Sequence, residues 1–224
     1  MTPDDTIPPD AATADTEPPP SPFDVVAWHA GNVGVGGATA KAAALLFPND
    51  SAAWAIQYLR GWMKNGHLTR PSTCAIYGCS YLRARGVDHE MLEKQYALQI
   101  GMAPAIVETV ARSLGAWIDA STPEPEVGPV LHEVPEAGDI VRIGGLGVGE
   151  LHMLCVTGRD GPTGEILSVD GGQLPDSTFV QARRRIMVIW NRSPWLVKPE
   201  APYLPDGSPN GRPVTGRVVG ARLP

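Results

Sequence analysis

The chain holds three cysteines and five histidines, the side chains best suited to thiol chemistry. Two of the cysteines, Cys74 and Cys79, lie in STCAIYGCSYLRARGV, residues 72 to 87. This stretch reads as a helix. Five residues of helix turn by about 140° net, so the two thiols face different ways. Ala75, Gly78, Cys79 and Leu82 recur at i, i+3, i+4 and i+7, a buried stripe that takes in Cys79. Cys74 stands off the stripe, in the first turn, just behind the potential N-caps Ser72 and Thr73. There, unpaired backbone N–H groups and the positive end of the helix dipole favour a thiolate, the nucleophilic form. Cys79 reads as core filler. Simple packing is also the alternative for Cys74, since free cysteine is among the most buried residue types.

A thiolate nucleophile needs a base within hydrogen-bond reach, oriented by a third group. His29 beside a glycine-rich loop, His67 after a helix end, His89 in a first turn and His132 in a linker all read as surface residues. His152 sits inside a strand. In LHMLCV, alternation puts His152, Leu154 and Val156 on one face and Leu151, Met153 and Cys155 on the other. An imidazole among apolar neighbours must find a hydrogen-bond partner. Opposite faces also make His152 and Cys155 a poor metal pair, and neither metal nor cofactor is expected. The next strand ends in SVDGGQ. The turn GRDGPTGE before it implies a hairpin that returns Asp170 toward the level of His152. A carboxylate there would fix the imidazole tautomer and stabilise the imidazolium. The competing reading makes Asp170 a turn residue ahead of Gly171 and Gly172.

The elements that must position these groups fall into two halves. Residues 1–22 are acidic and Pro-rich and read as a disordered leader, without the basic and apolar regions of a secretory signal. Residues 23–120 read as helical: ATAKAAALLF, NDSAAWAIQYLRGWMKNGH, the Cys74 helix closing on Gly86 as its C′ residue, DHEMLEKQYALQIGM, and PAIVETVARSLGAWI. Residues 121–136 read as a linker. Over 137–193 the pattern changes to strands in GDIVRIGG, ELHMLCVTG, EILSVDGG and STFVQARRRIMVIWNR, the last as one long strand or two. Residues 194–224, rich in Pro and Gly, read as a loosely ordered tail. The expected class is α+β, a helical N-terminal half packed on a small antiparallel sheet.

Several function classes are disfavoured. No apolar run approaches the ~20 residues of a membrane span. A net charge of −6 argues against a nucleic-acid partner. Arg183, Arg184 and Arg185 alternate faces on a strand, so they form no single basic patch and read as an exposed strand edge. The loops GNVGVGG and GGLGVGE neither follow a clear strand nor open a long helix, so they read as turns.

Taken in order, the parts resemble the papain-like cell-wall peptidases and amidases of the NlpC type, and more closely the CHAP type (cysteine, histidine-dependent amidohydrolase/peptidase). Four pieces carry the resemblance: a cysteine opening a helix that ends in Gly-Val, CAIYGCSYLRARGV; the strand opener AGDIVRIGG; a strand histidine thirteen residues after Asp139, in LHMLCV; and VDGGQ followed by a further strand. They span residues 72 to 192. The resemblance implies that Cys74 is the nucleophile, His152 the base and Asp170 the third residue. It implies a sheet packed on the Cys74 helix, with Gly78 permitting close approach. It also implies a peptidoglycan stem peptide or a glycan–peptide amide as substrate. With no secretory signal read, the location fits a cytoplasmic enzyme, a phage lysin or a secretion-system effector. Thr73, Ala75 and Gly172 depart from the family patterns. A catalytically inactive papain-like binding or structural module therefore stays open as the alternative.

Overall fold

Glycines decide where the described helices stop. The computed structural model describes residues 23–34, 73–88, 91–92, 103–120, 134–144, 151–173 and 179–224. The leader and most of the remaining helical assignments, with His67, His89 and His132, lie outside these residues. Helix α1 (Val25–Ala30) starts at Asp24, whose side chain accepts a hydrogen bond from the Ala27 N–H at 2.9 Å. Helix α2 (Thr73–Ala84) ends in paired return bonds, Val87 N–H to the Leu82 carbonyl and Gly86 N–H to that of Arg83, each 3.0 Å. Gly86 takes φ +87° to make them, the C′ role expected of it. Helix α3 (Ala103–Ser113) closes the same way on Gly115, at φ +66°. The sequence suggested that this helix ran on through Trp117 and Ile118. Gly115 stops it, and Trp117–Asp119 become strand β1.

The remaining strands are β2 (Ile140–Ile143), β3 (His152–Arg159), β4 (Ile166–Gln173), β5 (Phe179–Trp190), β6 (Ser193–Val197) and β7 (Gly211–Val218). The antiparallel order is β1-β7-β2-β3-β4-β5-β6, and β6 also pairs with β7. Strands β2 to β7 therefore close into a six-stranded barrel, with β1 added on β7. Two strands turn the corners. β5 pairs with β4 as far as Arg185 and with β6 from Ile186. β7 pairs with β6 as far as Pro213 and with β2 from Val214.

Two expectations are corrected by this topology. The fold is not a helical half packed on a small sheet: the described residues form a seven-stranded antiparallel sheet with three short helices. Nor is 194–224 a loose tail, because it supplies most of β6 and all of β7. Its glycines, which suggested looseness, are sites of close approach. A Cβ on Gly211 would lie 2.1 Å from the Leu196 carbonyl oxygen, and one on Gly216 would lie 2.2 Å from the Trp117 ring.

Alternation along the strands builds two cores. Val141, Ile143, Leu154, Val156, Ile166, Leu196 and Val214 fill the barrel. Ile140, Met153, Cys155, Val169, Val180 and Val218 face outward and pack with α2 and α3. Burying a large apolar side chain in either core contributes roughly 1.5–3 kcal/mol. At one end of the barrel the buried Asp139 accepts N–H bonds from Gly220 (2.7 Å) and Glu136 (3.1 Å) and pairs with Arg217 (3.4 Å). The Ala-Gly-Asp opener thus ties β2 to the chain after β7. The Tyr81 hydroxyl of α2 donates to the Gly138 carbonyl at this same end. The N-terminus of α2 therefore points to the other end, where β3 begins.

The glycine that admits α2 is Gly171. A Cβ there would sit 2.4 Å from the Cβ of Tyr77, whereas one on Gly78 would meet only Val107 and Ile140, at 3.5 and 4.0 Å. The close approach assigned to Gly78 thus belongs to Gly171. Gly171→Ala should destabilise the fold by about 1–3 kcal/mol, since neither backbone can yield. The control Gly161→Ala, which meets nothing within 4 Å, should change stability by less than about 0.5 kcal/mol. Urea unfolding of the two variants checks this.

Candidate active site

Cys74 is the second residue of α2, His152 the first of β3, and Asp170 lies near the end of β4. The β3–β4 hairpin pairs Cys155 with Val169 and Val156 with Ser168. This register puts His152, Ser168 and Asp170 on the same face of the sheet, at the end where α2 begins. Cys155, of opposite parity, points into the core beneath the helices, so the separation expected from alternation holds. Asp170 belongs to a strand, and it is buried.

The three side chains meet. His152 Nε2 lies 3.4 Å from Asp170 Oδ2. The imidazole also shares a hydrogen bond with the Cys74 thiol. With Nε2 turned to the carboxylate, Nδ1 is the nitrogen left for the thiol proton. Burial alone would push the His152 pKa down. The hydrogen bonds to Asp170 and Cys74, with the negative charge of both, outweigh that and raise it from 6.5 to about 9. Burial likewise pushes the Asp170 carboxyl up. The hydrogen bond to His152 and the charge of Arg185 outweigh it and hold the carboxyl below its usual range. The arrangement favours an imidazolium at neutral pH, set between the ionised Asp170 and the Cys74 sulfur.

Sequence reasoning missed the arginines. Arg185 Nη2 lies 2.5 Å and Arg183 Nε 3.2 Å from the same Asp170 Oδ2. Arg185 also donates to the Ser168 hydroxyl. The two are spaced i, i+2 and so share the face of Ser168 and Asp170, while Arg184 turns to Asp160 and Glu165 on the other side. They are not an exposed edge, because β5 is paired with β4 along its first half and with β6 along its second. The alternation in QARRR held this signal, but its use required the β4–β5 register. Asp170 Oδ1 is buried and has no hydrogen-bond partner among the described residues.

Other expected roles change. His29 is not a surface residue. It is fully buried between α1 and α2, its Nδ1 is 2.7 Å from the Tyr77 hydroxyl, and its ring stacks on Tyr81. Burial lowers its pKa to about 4, so it is neutral at physiological pH. Cys79 and Cys155 are buried thiols, neither of them in a disulfide, and burial pushes the Cys155 pKa up. No helix among the described residues is long and apolar enough to cross a membrane. Comparison with protein-family models, curated proteins and solved structures finds no match for this chain.

The folded pKa of His152 lies above its free value, so the imidazolium persists below about pH 9 and is lost above it. Any reaction that uses this group as an acid should decline as pH rises through about 9. Asp170→Asn removes one of the charges that raise the pKa, so the alkaline limb should shift toward neutral pH. A pH–rate profile of wild type and Asp170→Asn checks both. An alkaline limb that Asp170→Asn leaves in place would break the link.

Proposed function

We propose that the chain is a cysteine hydrolase of amide bonds, with a papain-like site of the NlpC or CHAP kind acting on peptidoglycan. The observation that carries this reading is the contact series from the Cys74 thiol through the His152 imidazole to the Asp170 carboxylate. With the proton already on the His152 imidazolium, the Cys74 thiolate attacks the amide carbonyl carbon. Backbone N–H groups in the first turn of α2 face the resulting oxyanion. The His152 imidazolium protonates the departing amine as the C–N bond breaks, leaving a thioester. Water, deprotonated by His152, then attacks the thioester, releases the carboxylic acid and restores the thiol. Asp170 stays ionised throughout and stabilises the imidazolium. A wall substrate suits a phage lysin or an effector delivered by a secretion machine.

A catalytically inactive papain-like module is the second reading, and the low exposure of Cys74, at 7 %, favours it. Mass spectrometry of muropeptides after incubation with wild type and with Cys74→Ser separates the two. The hydrolase reading expects new fragments from the wild type and a loss on the order of 10³-fold or more in the variant, whose hydroxyl the same site cannot ionise. Absence of fragments from folded wild type, over several peptidoglycan types, would favour the inactive module. Iodoacetamide gives an independent check. Cys74 should be alkylated well before Cys79 and Cys155 at neutral pH, and equal rates would contradict an activated thiol.

A further inference from the structure

Three cationic side chains meet on one oxygen at this site. Oδ2 of Asp170 lies 2.5 Å from Arg185 Nη2, 3.2 Å from Arg183 Nε and 3.4 Å from His152 Nε2. Oδ1 of the same carboxylate is buried and has no hydrogen-bond partner among the described residues. A carboxylate offers about four lone-pair sites over its two oxygens, so the imidazole and the guanidinium could each take an oxygen of their own. Here they share one, and the imidazole has the longest of the three contacts.

Arg185 is the stronger competitor of the two arginines. Its side chain is 12 % exposed against 45 % for Arg183, so water screens it less. The buried Ser168 hydroxyl accepts a hydrogen bond from its Nη1 and holds the guanidinium in place. The other titratable groups near the His152–Asp170 pair are the Cys74 thiol of α2 and, lining the adjoining cleft, Lys198, Glu200 and Arg212. Ile143, opposite His152 on β2, is apolar. Arg185 acts on the ring in two ways that share a direction. Its positive charge disfavours a second cation beside it, and its hydrogen bond draws Oδ2 away from the imidazole N–H. Asp170 does not depend on Arg185 alone for its charge, because the imidazolium and Arg183 face it as well.

We propose that Arg185 is a positioning residue that acts through Asp170: by taking Oδ2 at closer range, it weakens the hold of His152 on its proton. Its meaning for catalysis rests on the hydrolase reading above; its effect on the ring does not. On that reading, Arg185 matters at the step where the imidazolium gives its proton to the departing amine, since an acid held too firmly by its counter-ion donates slowly. Asp170 and Arg185 thus pull in opposite directions. The carboxylate raises the proton affinity of the ring, and the guanidinium limits it.

The test follows the His152 ring nitrogens by nitrogen-15 NMR across pH, in the full chain carrying Cys74→Ala, a background that removes the coupled titration of the thiol. Adding Arg185→Met should raise the midpoint by about one pH unit. Arg185→Lys, which keeps the charge, should cancel most of that rise. Arg184→Met removes the neighbouring charge, which faces Asp160 and Glu165 instead, and should move the midpoint by less than about 0.3 unit. Arg185→Gln carries the same expectation as Arg185→Met should the latter fail to fold. A midpoint that stays in place or falls without the Arg185 charge would overturn the proposal, and so would an equal rise in Arg184→Met. Muropeptide cleavage by the wild type, measured in parallel, keeps the two readings apart. A raised midpoint without cleavage would leave the effect of Arg185 on the ring and remove the hydrolase. Cleavage with an unmoved midpoint would leave the hydrolase and remove the role of Arg185.

Discussion

The contact of Tyr77 on Gly171 governs the geometry of this protein. It lets α2 lie directly on β4 at position 171, where no side chain stands between helix and strand. Cys74, one turn before Tyr77, is thereby carried to the barrel end where β3 starts. A side chain at 171 would lift the helix and draw the thiol away from His152. The opposite end of the helix is held by Tyr81 on the Gly138 carbonyl, beside the Asp139 tie. The helix is thus fixed at two points along its length, and its first turn is left to face His152.

The barrel supplies the second constraint, which is electrostatic. Antiparallel register places Asp170 among His152, Arg183 and Arg185 on one face, sheltered from water. A buried carboxylate is costly unless paired, and these cations keep it ionised. An ionised Asp170 in turn keeps the imidazolium charged. The apolar filling of the barrel, from Leu154 to Ile166, holds the strands that present these groups. Core packing, register and site chemistry are therefore one connected arrangement.

Much of the site was legible in the sequence, and the balance of the fold was not. His152 could be assigned to a face because strand parity is local. Asp170 could be brought toward it because the hairpin turn is local too. Gly86 marked a helix end by its own conformational freedom. The barrel was hidden because its closure depends on GRPVTGRV, whose Gly and Pro mimic a loop, while Gly211 packs against Leu196 and Gly216 against Trp117. The arginines were misread because their meaning depends on which residues of β4 stand opposite them. His29 was misread because its burial depends on α1 docking against α2, which neither helix encodes alone.

The central claim is that His152 is an imidazolium held between Cys74 and Asp170. Nitrogen-15 NMR of the His152 ring measures this directly, since both ring nitrogens are protonated in the cation and only one in the neutral form. The account predicts an imidazolium at pH 7 that titrates near pH 9, and a lower pKa in Cys74→Ser. A neutral ring at pH 7, titrating at or below 6.5 and indifferent to the Cys74 substitution, would contradict it.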